Sequence, residues 1–279
     1  MTKTFDRAQE DVGNMLLMEH VNLTVPDQEL AALFYVSAIG GTRDPYIDFG
    51  TFNMWVNLGE QQFHLPKSTP QRYRGHIGLA VPSLDELRAR LDRFGKAFEG
   101  TQFGWEVLDD HLSVLCPWGN ELRCYPGDDE MGLGIRYLET LVPPDTAAGI
   151  ASFYFDVFGA PATVNDDVAS ISVGTNQQLR FRETDRPLAD YDGHHIAIYV
   201  ANFSAGHGWL AHRELVTEES DAHQYRFTAL TDPEDGGVLT ELEHEVRSLR
   251  HPMYGRHLVN RNAAIGFFNF QRGREVFVP

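Results

Sequence analysis

The chain repeats itself. Residues Glu19 to Gly41, EHVNLTVPDQELAALFYVSAIGG, and Tyr137 to Gly159, YLETLVPPDTAAGIASFYFDVFG, share a strand, a proline break, a helix carrying an aromatic pair, and a closing glycine. In the first copy Val21, Leu23 and Val25 alternate with His20, Asn22 and Thr24, so the spacing predicts a strand with one apolar face and one polar face that carries a histidine. Pro26 stops it. Asp27 is placed to cap a helix, and Leu30, Leu33, Phe34 and Ile39 recur at helical spacing as far as Gly40-Gly41. That helix covers the strand's apolar face, and its duplication restricts the chain to folds built from equivalent β-α units.

The pattern also restarts inside each half. Three short strands fit 42–66; GHIGLAV from Gly75 is a fresh strand, and LDELRARLDRFG puts Leu84, Leu87, Leu91 and Phe94 on one helical stripe. Strands near 106–108, 111–116 and 121–125 follow, the last two joined by the turn Pro117-Trp118-Gly119-Asn120. The second half retraces this order through strands at 170–173 and 178–182, the segment Gly193 to Val200, a helix, the turn Asp232 to Gly237 and a strand from Val238 to Val246. Each half is two β-α-β-β-β units, which is an α+β fold. PGDDEMGLG has linker composition, giving a leader at 1–17, a first module at 18–126, a second at 134–246 and a tail at 247–279 with no counterpart in the first half.

A length of 279 residues and a hydrophobic fraction of 42% suit a globular protein with a full core. No run approaches the roughly 20 apolar residues of a membrane span, and MTKTFDRAQEDVGN has no apolar signal core, so a cytoplasmic protein without membrane contact is expected. A formal charge of −17 with no basic block argues against nucleic acid. Cys116 and Cys124 are too few for a disulfide framework and read as structural thiols.

Taken together, the strand openings His20-Val21-Asn22-Leu23 and His76-Ile77-Gly78-Leu79, the pairs Phe34-Tyr35 and Phe153-Tyr154, and the turns Pro117-Trp118-Gly119-Asn120 and Asp232-Pro233-Glu234-Asp235-Gly236 make the chain resemble the vicinal oxygen chelate superfamily over nearly its whole length. That superfamily includes glyoxalase I, fosfomycin- and bleomycin-resistance proteins and extradiol ring-cleaving dioxygenases. The resemblance implies tandem paired βαβββ modules forming cupped mixed sheets, with a divalent metal, Fe(II), Mn(II) or Zn(II), held in a cup by two histidines and a glutamate. Two neutral imidazoles and a carboxylate leave open positions for two substrate oxygens.

Carried onto this sequence, the resemblance puts His20 and His76 at the histidine positions. The glutamate position falls on Arg123, and Glu121, two residues earlier on the same face, is the nearest carboxylate. An arginine there repels a cation and suits a carboxylate or phosphate instead. In the second half Tyr137 replaces the first histidine, His195 matches the other, and Glu241, Glu243 and Glu245 line one face of the last strand. Glu139 shares the face of Tyr137, which makes Glu139, His195 and Glu241 or Glu243 a second candidate set. The metal candidates are therefore His20, His76, Glu121, His195 and Glu243, and where facing modules share a site the resemblance implies His20 combined with His195 or Glu243.

His64 stands where the dioxygenases carry an acid-base histidine, and an unperturbed imidazole with a pKa of about 6.5 suits proton transfer. Arg180 is its counterpart in the second half. TEESDAHQYRF, Thr217 to Phe227, concentrates His223, Tyr225 and Arg226 among acidic residues and reads either as pocket lining or as a solvated loop and strand. The catalytic candidates are His64, Arg123 and His223.

Two functions follow. One is a small-molecule metalloenzyme, an extradiol-type dioxygenase or a glyoxalase-like isomerase or lyase, binding vicinal oxygens of its substrate. The other is a metal-free protein of the bleomycin-resistance type that sequesters a small molecule. A homodimer is compatible with either.

Overall fold

Asp27 accepts hydrogen bonds from the backbone N–H groups of Glu29 and Leu30 and so starts the first helix at the position its sequence predicts. The computed structural model describes residues 7, 11–128, 132–260 and 264–273. Four β-α-β-β-β units follow one another. The first is β1 (Met15–Asn22), α1 (Gln28–Ala31, continuing as π-helical turns over Ala32–Ala38), β2 (Thr42–Asp48), β3 (Asn53–Leu58) and β4 (Gln61–Pro66). The second is β5 (Gly75–Val81), α2 (Leu84–Phe94), β6 (Gly104–Val107), β7 (Leu112–Leu115) and β8 (Glu121–Pro126). The third is β9 (Gly134–Val142), α3 (Ala147–Phe158), β10 (Ala162–Asn165), β11 (Val168–Gly174) and β12 (Gln177–Glu183). The fourth is β13 (His195–Val200), α4 (Phe203–His212), β14 (Val216–Ser220), β15 (Gln224–Thr231) and β16 (Val238–Ser248).

These strands form two eight-stranded mixed sheets. Sheet I has the order β14-β15-β16-β13-β1-β4-β3-β2 and sheet II the order β10-β11-β12-β9-β5-β8-β7-β6. Sheet I therefore joins the first and fourth units, and sheet II the second and third. Neither sheet is made from one half of the chain. The seams are the antiparallel pairs β1 with β13 and β5 with β9.

The apolar faces of both sheets share one core with the helices, including Phe34, Tyr35, Phe153, Tyr154 and Phe158. Gln177 ties the sheets together: its amide donates to the carbonyls of Met18 and Ile135, and its oxygen accepts from the Met18 N–H. Burying three polar contacts on one side chain is favourable because every one is satisfied. β1 begins at Met15, earlier than the alternation around His20 suggests, because Met15-Leu16-Leu17-Met18 is a continuous apolar run in a strand flanked on both edges. After β16 the chain turns back over sheet I, where Tyr254 packs on Tyr199 and Arg256 forms a buried ion pair with Asp44 at 2.6 Å. No helix among the described residues is long and apolar enough to cross a membrane.

Candidate metal centre

Strand register assembles the centre. His20 on β1 pairs with Ala197 on β13, and Ala197 pairs with Glu245 on β16, so His20 and Glu245 lie on one line across three adjacent strands. His195 stands two residues before Ala197 and shares its face. One ligand atom each from His20, His195 and Glu245 lies within 4.8 Å of the other two. All three are buried or nearly so.

Glu19 prepares His20. A bulge between Met18 and His20 breaks the alternation of β1, which lets the neighbouring side chains Glu19 and His20 meet at 3.1 Å through the imidazole Nδ1. Nδ1–H donates to the carboxylate, and the tautomer this fixes leaves a lone pair on Nε2. That Nε2 is buried and has no hydrogen-bond partner among the described residues. Burial, then the positive charge of Arg247, keeps His20 neutral far below the usual histidine range. A neutral, desolvated imidazole with one nitrogen engaged by a carboxylate and the other free meets the requirement of a metal ligand, so these residues fit a divalent cation.

The surroundings hold the ring planes. His64 stacks on His20 with centroids 3.6 Å apart, and Trp55 stacks on the other side of His64 at 3.5 Å. The His64 Nε2 bonds to Gln62 at 3.1 Å, and burial keeps His64 neutral well below its ordinary range. His195 is pushed down to about 3, first by burial and next by Arg226; its Nδ1 faces Glu243 at 3.5 Å and its Nε2 faces Glu245 at 3.9 Å. Arg226 on β15 grips Glu243 at 2.5 Å and also Glu245, while Arg247 grips Glu245 at 2.5 Å and also Glu19. Two arginines against three glutamates leave this cup with one excess negative charge, which attracts a cation. Beyond Glu19, a cavity of about 600 Å³ lies between Gln62, Tyr199 and the tail residues Met253 to Leu258.

Sheet II offers the same frame with different chemistry. Tyr137, Gly78 and Arg123 occupy the line that His20, Ala197 and Glu245 occupy in sheet I, and His76 stands where His195 does. The Tyr137 hydroxyl bonds to His76 Nε2 at 3.1 Å and to the Tyr125 hydroxyl at 2.9 Å. The His76 Nδ1 lies 3.9 Å from Glu139, but among the described residues no third ligand atom joins them as one does in sheet I.

No protein-family model matches the chain, and no curated protein matches it in sequence. Solved structures do match. A candidate dioxygenase from Bacillus subtilis superposes with a TM-score of 0.59 at 14% identity, covering 85% of this chain and 86% of that one. Glyoxalase I from Zea mays superposes with a TM-score of 0.59 at 14% identity over 82% of this chain and 91% of that one. The chain has the vicinal oxygen chelate fold. Four βαβββ units paired into two cups account for both matches.

Within this fold, the predicted residues separate into two groups. His20, His195 and Glu243 come together on sheet I, whereas His76, Glu121 and Arg123 lie together on sheet II. A site joining His20 to His76 and Glu121 is thus corrected: the pairing of the first unit with the fourth takes those strands into different sheets. For the same reason Glu139 and His195 share no site. Glu245, not Glu243, lies in line with His20, and Glu243 stands two residues earlier on the same face and is the more exposed of the two. His223 is exposed, in the turn between β14 and β15 with a positive φ of 65°, away from the three ligand atoms. Glu19 was not signalled by the sequence, since period-two alternation puts it on the opposite face from His20, and Arg247 fell beyond the predicted end of the last strand, which runs on to Ser248.

Proposed function

We propose that this protein is a metal-dependent enzyme acting on a small molecule that presents two neighbouring oxygens, with His20, His195 and Glu245 holding the cation. The observation that carries the reading is the buried, unpartnered Nε2 of His20, aimed at a cluster that already contains a second imidazole and a carboxylate. Fe(II), Mn(II) and Zn(II) all accept this donor set, and the cation would supply Lewis-acid polarisation of the substrate oxygens. Both ring-cleaving dioxygenation and glyoxalase-like isomerisation or lyase chemistry use such a site.

The chain's own groups have distinct tasks in this reading. Glu19 fixes the His20 tautomer, and Arg247 holds Glu19 and Glu245 together. The Trp55, His64, His20 stack excludes water from one wall. His64 is neutral and hydrogen-bonded to Gln62, so it supports the His20 ring better than it moves protons. Arg226 holds Glu243 and Glu245 in place, and Glu243 is the partly exposed carboxylate placed to accept a substrate proton.

A second reading, a metal-free binding protein, is favoured by one observation: both oxygens of Glu245 already face arginines. Cobalt(II) separates the two. Protein loaded with Co(II) and titrated with catechol should show a shift of the visible ligand-field bands that is lost in Glu245→Gln. Catechol binding with no retained Co(II) would favour the metal-free reading.

A further inference from the structure

The cup of sheet II has no free imidazole for a cation, yet it is not inert. Arg123 pairs with Glu121 and Arg182 with Glu139 there, and Arg180 stands beside them, an excess of one positive charge where the other cup has an excess of one negative. The exposed acids Asp167 and Asp110 at the edge of this cup remove that excess, and Glu218 deepens the negative one of the other cup.

How the arginines are used matters more than their number. In sheet I the terminal nitrogens of Arg226 and Arg247 are all turned onto carboxylates. In sheet II Arg123 bonds to Glu121 at 2.8 Å and Arg180 to Gln178 at 3.0 Å, each through Nε. Among the described residues neither Arg123 nor Arg180 has a partner for its two terminal NH groups, and Arg180 faces no carboxylate. Both flank one side chain: the Arg180 guanidinium lies 4.0 Å from the Tyr137 ring centre, and both arginines act on the Tyr137 hydroxyl and on His76 through their charge. Tyr137 is in turn fixed from behind, because Gly78 leaves room for its ring where any Cβ would collide with it. Two planar guanidinium ends with unpaired N–H groups, held beside a rigid aromatic floor, form a receptor for a planar anion.

We propose that the sheet II cup binds a small carboxylate-bearing molecule between Arg123 and Arg180, without a metal and independently of the sheet I centre. A carboxylate monoanion meets less repulsion from Glu121, beside Arg123, than a phosphate dianion does. A planar carboxylate also matches the paired N–H groups of a guanidinium edge better than a tetrahedral oxyanion does.

Calorimetry on the full-length, metal-free protein tests this with benzoate as probe, benzamide as its neutral isostere and inorganic phosphate as competitor. Benzoate should bind saturably and benzamide should not; Arg180→Met and Arg123→Gln should each weaken benzoate by roughly tenfold, and His195→Ala should leave it unchanged. Circular dichroism establishes that each variant is folded, and two arginine variants are used so that loss of one to misfolding leaves the other. Absence of saturable benzoate binding overturns the proposal. So does binding that survives both arginine variants, or that is lost in His195→Ala, which places the anion in the other cup. Phosphate competing as well as benzoate overturns the assignment to a carboxylate.

Discussion

Glu245 and Arg123 hold the same register position in two equivalent sheets, the first in line with Ala197 and His20 and the second in line with Gly78 and Tyr137. One framework has thereby acquired two cups of different chemistry. The cup of sheet I, with its free imidazole, suits a cation; the cup of sheet II carries an arginine at the glutamate's position and a histidine bonded to a tyrosine.

Replacing the carboxylate behind His20 tests how the centre is prepared. Glu19→Gln is expected to weaken cation binding about 10- to 100-fold, because the His20 tautomer is no longer fixed. It also leaves the buried Arg247 with one counter-charge fewer, so stability in urea should fall by about 3 kcal/mol or more. Unchanged affinity would contradict the role given to Glu19.

Gly78→Ala places a Cβ 2.0 Å from Cε1 of Tyr137. Relief requires the ring to move, at a cost of about 1–3 kcal/mol. The bond from Tyr137 to His76 Nε2 should break with it, and the His76 imidazole resonances should report the change.

Much of this architecture is visible in the amino-acid order. The strand, proline, helix and glycine of Glu19 to Gly41 and of Tyr137 to Gly159 specify the units, and Asp27 and Gly159 end their helices as their residue types predict. His20, His195 and the face shared by Glu243 and Glu245 were also legible. The partner of each unit was not, since pairing is set by long-range contacts such as those of Gln177 with Met18 and Ile135. Glu19 was hidden by a bulge, which period-two reasoning cannot foresee, and which carboxylate of the last strand faces His20 is decided by register across three strands.

Acid should unfold the protein through its buried neutral histidines. His244 is pushed down to about 4 by burial, with its Nδ1 on the Leu242 carbonyl and its Nε2 on the Tyr154 hydroxyl, and His251 is pushed down to about 3, also chiefly by burial. The unfolded chain takes up these protons near pH 6.5, where the folded chain does not, so stability present above about pH 6.5 is lost as the pH falls toward 4. His244 alone contributes up to about 3 kcal/mol over that window. Urea midpoints measured from pH 7.5 to 4.5 should fall; midpoints that stay level or rise would contradict this.

A buried ion pair anchors the tail. Arg256 donates to Asp44, whose carboxylate also accepts from Gln62, and both partners are almost fully buried. Arg256→Ala should cost about 3–5 kcal/mol by leaving Asp44 uncompensated, and should expose 249–258 to limited proteolysis. Equal protection of that segment in the variant would show that the ion pair does not hold it.

The most direct test of the central claim compares two histidines by elemental analysis of chelator-free protein reconstituted with Fe(II), Mn(II) or Zn(II) and desalted. The account predicts about one metal per chain in the wild type and in His76→Ala, and almost none in His195→Ala. Metal lost in His76→Ala but kept in His195→Ala, or no metal retained by the wild type with any of the three, would contradict it.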